Sequence, residues 1–135
     1  MSRFAIPPWI LALVVVLMGL NLNGYLLFDH DEGAFSEATR GMFERGDFIT
    51  TWLNDRVRFD KPILIYWLQG LSMSLFGIEV WVFRLPSVLA GIAWTLTIYS
   101  FARKHLDQGT ANAAALIAAL SFGVTAISHL ATADA

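Results

Sequence analysis

The stretch that decides the fold is Ile10–Leu20, ILALVVVLMGL, read together with the acidic run Asp29–Gly33, DHDEG, that follows it. The first is an almost unbroken aliphatic run, and the second carries three carboxylates. Because a bilayer core penalises ionised groups, a dense charged segment after an apolar run is expected to lie outside the hydrocarbon. Eight acids and five bases fall between Asp29 and Lys61, which predicts a loop at the membrane edge.

Composition places the chain among membrane proteins. Its 135 residues are 56% hydrophobic with a mean hydropathy of +0.58, whereas ordinary soluble domains are roughly 45–50% apolar. A net charge of -2 gives no reason to expect a nucleic-acid partner, and the absence of cysteine excludes disulfides and thiol chemistry. The length allows one small bundle, and no polar tail precedes Ala135. We therefore expect an N-terminal fragment of something longer.

Three apolar segments are predicted to span the membrane, at about residues 7–28, 80–102 and 110–129. Trp9 and Tyr25 are placed as interfacial anchors of the first. A cleaved signal peptide is the alternative for it, but no small-residue cleavage site follows. Pro86 is expected near the start of the second helix, where a missing donor is tolerated. The third segment is rich in alanine and is expected to pack closely against helices outside this chain.

The outer loop, residues 29–79, is predicted to hold two interfacial helices joined by an extended or looped segment. In Glu32–Asp47 the apolar residues share one helical face and the Glu37–Arg40 pair lies elsewhere, which is typical of a helix lying in the interface. Pro62–Phe76 is apolar but shorter than the roughly 20 residues that a span needs. It is predicted to lie at or dip into the interface, with a short true span as the alternative.

The topology of Pro62–Phe76 decides which acidic groups can meet. If this segment does not cross, three spans place Asp31 and Asp134 on the same side; if it crosses, four spans separate them. Segment length favours three spans. Cysteines at Ser36 and Asp134 are then both expected to react with an impermeant reagent from outside. The predicted fold is an all-α polytopic membrane protein, with residues 1–135 forming the N-terminal part of one membrane domain.

The acids that precede the first interfacial helix have two interpretations. Asp31 and Glu32 can cap the helix, because an acid there satisfies free backbone donors and favours the dipole. Capping explains one acid, but not three at the bilayer edge, where a carboxylate can act as a general base toward an acceptor. Asp29, His30 and Asp31 can also ligate a divalent metal ion.

Two basic residues are candidates for binding a lipid phosphate. Lys61 lies in the charged turn Asp60-Lys61-Pro62 and either snorkels to the interface or binds phosphate as a compact point charge. Asp60 is then its partner or a metal ligand. Arg84, four residues inside an apolar run, either snorkels or binds a phosphate headgroup bidentately.

Four segments in this order resemble the start of the aminoarabinose-transferase and protein O-mannosyltransferase family, whose members are membrane glycosyltransferases of the GT-C class. The segments are DHDEGAFSEATRGMFERGDFIT, RFDKPILIYWLQGLSMSLFG, FRLPSVLAG and ATADA. The resemblance covers residues 25–135. It implies Asp31 as the base with Glu32 beside it, Asp134 as a second acidic motif, and Lys61 as the basic residue of an acid-Lys-Pro-Pro motif. The sequence departs from that motif at Asp60, where glutamate is common, and at Ile63, so a divalent metal cofactor is left open.

The resemblance implies transfer of a sugar from a polyprenyl-phosphate carrier to a lipid or protein acceptor at the outer face of a bacterial inner membrane. Asp31 would deprotonate the acceptor, Lys61 and Arg84 would stabilise the departing lipid phosphate, and Asp134 would orient the acceptor. The alternative is a non-enzymatic scaffold or assembly subunit whose charged loop binds a partner. The 135-residue chain alone is expected to be inactive.

Overall fold

The computed structural model describes residues 6–19, 22, 30–59, 61–121 and 129. The described residues are mainly helical, with helices α1 to α5 and a two-stranded hairpin. The elements are α1 (Pro8–Gly19), α2 (His30–Arg45), β1 (Trp52–Leu53), β2 (Arg56–Val57), α3 (Leu64–Phe76), α4 (Val80–His105) and α5 (Gln108–Leu120).

The chain forms two compact units. The first takes its described residues from Met1–Leu20 and Val88–His129, and the second takes them from Asn21–Ser87. The first unit therefore contains α1, α5 and most of α4. The second contains α2, the hairpin, α3 and the start of α4.

Among the residues that the structure describes, α4 is the one helix long and apolar enough to cross a membrane. Its 26 residues extend about 39 Å at 1.5 Å per residue, more than the roughly 30 Å of a hydrocarbon core. It continues past the predicted end to His105, and its last turn carries three basic residues that complement the helix dipole.

The expected position of Pro86 at the helix start is wrong. Because α4 begins at Val80, Pro86 is its seventh residue and lies inside the helix. The first turn of a helix has donors without intrahelical partners, but the seventh residue normally donates to the carbonyl four positions earlier. Pro86 therefore removes an interior hydrogen bond.

The other two predicted spans are shorter as helices in the described residues. Helix α1 has 12 residues and α5 has 13, or about 18–20 Å each. Leu22 lies in a turn, and Ser121 is extended with φ -62 and ψ 122, so α5 ends at Leu120. The remainder of both predicted spans lies outside the described residues.

Helix α5 begins earlier than expected because Asp107 caps it. The Asp107 carboxylate accepts from the backbone N–H groups of Gly109 at 2.8 Å and Thr110 at 3.1 Å. Gln108 and Gly109 therefore belong to the helix rather than to the preceding loop. Hydrogen bonds from the Thr110 side chain and backbone lower the pKa of Asp107.

The alanine-rich face of α5 packs within this chain, against α1, and not only against helices outside it as expected. Small residues let helix backbones approach closely. The buried alanines of α5 are Ala111, Ala115, Ala118 and Ala119. The buried residues of α1 are Ile10, Val14 and Met18.

In the second unit α2 packs against α3 along the predicted apolar face. Phe35, Ala38 and Met42 form a buried cluster with Tyr66 of α3, and the rings of Phe35 and Tyr66 are 5.6 Å apart. Phe43 lies at the edge of this face and is 40% exposed.

The expected i,i+3 pair on the outer face of α2 is present. Arg40 Nη2 lies 2.7 Å from Glu37 Oε1, and this hydrogen bond lowers the pKa of Glu37. Arg40 also binds Glu44. One face of α2 is thus apolar and buried against α3, and the other is charged and exposed.

Helix α2 ends at Gly46-Asp47, as predicted. Gly46 has φ +66, and the N–H of Asp47 donates to the carbonyl of Met42 at 3.2 Å, which is the Schellman geometry. The Asp47 carboxylate then accepts from the N–H groups of Ile49 and Thr50, both at 3.0 Å. The bond from Thr50, and then that from Ile49, lowers the pKa of Asp47.

A short hairpin follows in the segment predicted to be extended or looped. Strands β1 and β2 pair antiparallel, with Trp52 opposite Val57. Between them Asn54 and Asp55 have φ +50 and +60, the positive values that a two-residue type I′ turn requires.

Substitution of two glycines of α2 tests the Schellman ending. Gly46→Ala is expected to lower the free energy of unfolding by about 1 kcal/mol, because alanine at positive φ is strained. Gly41→Ala, inside the same helix with no atom closer than 3.9 Å to the added methyl, is expected to gain up to about 1 kcal/mol. Thermal unfolding in detergent measures both, and equal midpoints for the two variants would contradict the assignment.

Candidate functional site

The second unit contains a buried ion pair that joins the start of α2 to the start of α4. Arg84 donates from Nε to Oε1 of Glu32 at 2.6 Å and from Nη2 to Oε2 at 3.1 Å. This is the two-pronged geometry in which the planar guanidinium matches a carboxylate. The Arg84 side chain is 5% exposed and that of Glu32 is fully buried.

Arg84 also holds the chain that leads into α2. Its Nη1 donates to the carbonyl of Leu22 at 2.7 Å. Two buried charges are tolerated only when each is paired and hydrogen-bonded. The residues expected to be a catalytic acid and a phosphate ligand are therefore bound to each other.

A second polar contact ties the same two helices together through α3. Thr39 Oγ1 donates to Gln69 Oε1 at 2.8 Å, and Gln69 Nε2 donates to the carbonyl of Phe83 at 3.3 Å. Thr39 and Gln69 are fully buried. Neither residue was predicted to be functional, although a glutamine in the apolar stretch Pro62–Phe76 indicates that a polar partner is needed.

Asp31 and Glu32 lie inside the helix rather than before it. Helix α2 begins at His30, so Asp31 is its second residue and Glu32 its third. The Glu32 carboxylate binds Arg84. The Asp31 side chain lies outside the described atoms, but its backbone is fixed by the turn that contains Glu32.

The remaining predicted site residues are distributed as follows. Lys61 is partly exposed in the bend that leads into α3, while Asp60 and Asp134 lie outside the described residues. Across the described residues no three His, Asp or Glu side chains form a group that could hold a metal ion. The metal role considered for Asp60 is thus untested, and no chemical step is assigned to a metal.

Helix α3 presents an exposed apolar face beside the end of α2. Trp67 Nε1 donates to the carbonyl of Phe48 at 2.7 Å, while half of its surface stays exposed. A mainly apolar groove of about 320 Å³ lies between α2, α3 and Phe48. The exposed apolar residues of α3 are Leu64, Trp67, Leu68, Leu71, Leu75 and Phe76. An apolar face on one helix beside a charged face on its neighbour suits a membrane surface.

Ser36 is a poor site for the expected surface labelling. It is 4% exposed, and its Oγ donates to the carbonyl of Glu32 at 2.9 Å. A cysteine at this position is therefore expected to react slowly. Glu44, on the exposed side of the same helix with 57% of its side chain exposed, is the suitable position.

Comparison with known proteins gives a family match over residues 60–135, to the family described as dolichyl-phosphate-mannose-protein mannosyltransferase. This region includes Lys61, Arg84 and Asp134. No solved structure matches the chain.

Individual relatives agree with this family. An uncharacterized Aquifex aeolicus protein is 41% identical over 92 residues, covering 68% of this chain and 21% of the relative. Proteins named undecaprenyl phosphate-alpha-4-amino-4-deoxy-L-arabinose arabinosyl transferase match from Photorhabdus laumondii and Pectobacterium atrosepticum. The first is 35% identical over 65% of this chain and 16% of the relative. The second is 36% identical over 109 residues, which cover 80% of this chain and 20% of the relative.

The chain spans about a fifth of the length of these curated relatives. The match nevertheless covers more than half of this chain, and the long apolar helix α4 agrees with a place in the membrane. This chain belongs to the dolichyl-phosphate-mannose-protein mannosyltransferase family of GT-C membrane glycosyltransferases.

Proposed function

We propose that the protein carrying this chain transfers a sugar from a polyprenyl-phosphate carrier to a lipid or protein acceptor at the outer face of the bacterial inner membrane. The observation that carries the proposal is the family match over residues 60–135. The names of the relatives point to an undecaprenyl-phosphate donor. The acidic first turn of α2, fixed by Arg84, supports a catalytic group at the membrane edge.

In this proposal Asp31 is the general base. It takes the proton from the acceptor while the acceptor attacks the anomeric carbon from the face opposite the phosphate. The bond from that carbon to the phosphate oxygen breaks, and the polyprenyl phosphate leaves with the electron pair. Base catalysis of this kind contributes roughly 10²–10⁴-fold.

Lys61 stabilises the charge on the departing phosphate, an electrostatic role for which a compact ammonium is suited. Asp134 orients the acceptor. Because Glu32 and Arg84 bind each other, we assign neither a direct role in proton transfer or phosphate binding.

The proposed topology has three spans, at about 7–28, 80–102 and 110–129, with α2 and α3 at the outer interface. The 13 residues of α3 reach only about 20 Å, which is too short for the hydrocarbon core. Its exposed apolar face supports an orientation along the membrane surface. Residues 1–135 then form the N-terminal part of one membrane domain, in which α2 and α3 lie on the periplasmic side.

Cysteine labelling in intact cells tests this topology. Cysteines at Glu44 and Asp134, each introduced singly, are expected to react with a membrane-impermeant maleimide from outside. A cysteine at Lys104, exposed at the far end of α4, is the control and is expected to react only after permeabilisation. Labelling of Asp134→Cys only from the cytoplasmic side would separate Asp31 from Asp134 and contradict the shared site.

A non-enzymatic scaffold is the competing function, and the family match weighs against it.

Catalysis needs a donor pocket, an acceptor pocket and a water-excluded site between them. The described helices supply part of an outer-face wall. We therefore propose that the 135-residue chain alone inserts into membranes without transferring sugar.

A further inference from the structure

We propose that Arg84 is a positioning residue, which holds the first turn of α2 against α4 through Glu32 and the Leu22 carbonyl and so sets the position of Asp31. The contact itself is independent of any reaction. Its catalytic consequence rests on the proposed function, in which Asp31 is the base.

The geometry of the contact fixes orientation as well as distance. Two parallel hydrogen bonds, at 2.6 and 3.1 Å, hold the Glu32 carboxylate in the plane of the guanidinium. A third, at 2.7 Å, binds the Leu22 carbonyl on the chain before the helix. Successive residues of a helix are separated by a fixed rotation of about 100°. Holding the Glu32 carboxylate against Arg84 therefore restricts the backbone of Asp31, its neighbour in the same turn.

The same geometry makes Arg84 a poor ligand for phosphate. The Glu32 carboxylate balances the guanidinium charge at contact distance, so the pair has little net attraction for an anion. A phosphate that displaced Glu32 would leave a fully buried carboxylate without its partner, and such groups are costly.

A second attachment point keeps α2 from pivoting about the first. Thr39 lies seven residues after Glu32, on the same side of α2 and about 10 Å further along its axis. Through Gln69 it reaches the carbonyl of Phe83, the residue before Arg84. Loss of Arg84 is therefore expected to free the first turn while the rest of α2 stays attached.

The reactivity of a cysteine near the start of α2 measures this opening without any assay of sugar transfer. Ser36→Cys, one turn after Glu32 and 4% exposed, is expected to react slowly with an impermeant maleimide. Adding Arg84→Gln is expected to speed the reaction by at least about tenfold through local opening of α2 between its start and the attachment at Thr39. Glu44→Cys, exposed on the same helix, is the matched control and is expected to change less than about twofold. An unchanged rate at Ser36→Cys would overturn the proposal.

Steady-state kinetics of the protein encoded by the full reading frame distinguish a positioning role of Arg84 from a role in phosphate binding. The donor probe is undecaprenyl-phosphate 4-amino-4-deoxy-L-arabinose. Arg84→Lys keeps the positive charge but loses the bidentate hydrogen bonding to Glu32. It is expected to lower kcat by about 10²-fold, as misplacement of a catalytic group does, with little change in donor KM. Glu32→Gln is expected to match it, and the double variant to be no worse than either single one, because the two residues act as a unit.

The opposite pattern would assign Arg84 to the phosphate. A raised donor KM in Arg84→Lys, with Glu32→Gln near normal, overturns the proposal. Failure of the proposed function is distinguishable, because it would appear as normal turnover in Asp31→Asn or no turnover at all, while the labelling of Ser36→Cys would still respond to Arg84→Gln. If Arg84→Gln is not produced, the labelling is repeated with Arg84→Lys.

Discussion

Replacing Asp31 by asparagine in the full reading frame is expected to lower turnover by roughly 10²–10⁴-fold, the usual contribution of a general base. Asparagine keeps the size and hydrogen-bonding ability of the side chain but cannot take a proton. Binding of the lipid donor is expected to be retained, because the carboxylate acts on the acceptor. Single-turnover rates and donor-binding titrations, measured on the same preparation, separate the two effects.

Glu44→Gln is the matched control for this variant. It removes a carboxylate from the same helix at an exposed position bound to Arg40, and it is expected to leave turnover within about twofold, as surface ion pairs contribute little. Near-normal turnover in Asp31→Asn would reduce Asp31 to an acid that stabilises the start of a helix.

Replacing Lys61 by alanine is expected to give the second large effect, a loss of about 10²-fold in kcat/KM. The ammonium would stabilise the phosphate most strongly as it gains charge on leaving, so most of the loss is expected in kcat. Lys61→Arg, which keeps the charge, is expected to recover part of the rate. Initial rates over a range of donor concentrations in mixed micelles give both constants.

Arg56→Ala is the control for non-specific attraction of the anionic lipid donor by the positive charges of the loop. Arg56 is an exposed base in strand β2 of the same outer loop, and its removal is expected to change kcat/KM less than about threefold. Equal losses in Arg56→Ala and Lys61→Ala would show diffuse attraction of the anionic lipid and would remove Lys61 from the site.

The helices of the outer loop were predictable because their sequence patterns carry direct physical information. The apolar face of α2 follows the helical period through Phe35, Ala38 and Met42, and this face is buried. Helix α3 was predicted from its apolar run and from its boundaries at Pro62 and Gly77. The end of α2 followed from Gly46, which takes the positive φ that a Schellman ending needs.

The Glu32–Arg84 contact was not predictable from the residues themselves. A charged residue in an apolar run needs a partner, but the sequence does not say which one, and these two are separated by 52 positions. Each was therefore interpreted separately, Glu32 as a helix cap or an acid beside the base, and Arg84 as a snorkelling residue or a phosphate ligand. The link from Thr39 through Gln69 was missed for the same reason, since it joins three helices that are distant in sequence.

Element boundaries were less predictable than the elements. Hydropathy continues from Thr110 to His129, but the backbone leaves the helix at Ser121. The position of Pro86 was judged from its nearness to the start of the apolar run, although the helix already begins at Val80. In both cases the apolar composition indicates burial or membrane contact, which does not by itself fix where backbone hydrogen bonding starts and stops.

The most direct test of the account is release of undecaprenyl phosphate by membranes containing the full reading frame. Membranes are incubated with undecaprenyl phosphate carrying 4-amino-4-deoxy-L-arabinose or mannose, and the freed carrier is quantified by mass spectrometry. The account predicts release from at least one donor, abolished by Asp31→Asn and retained in Glu44→Gln. Release that persists in Asp31→Asn, or release from both donors no greater than in membranes lacking the protein, would contradict it.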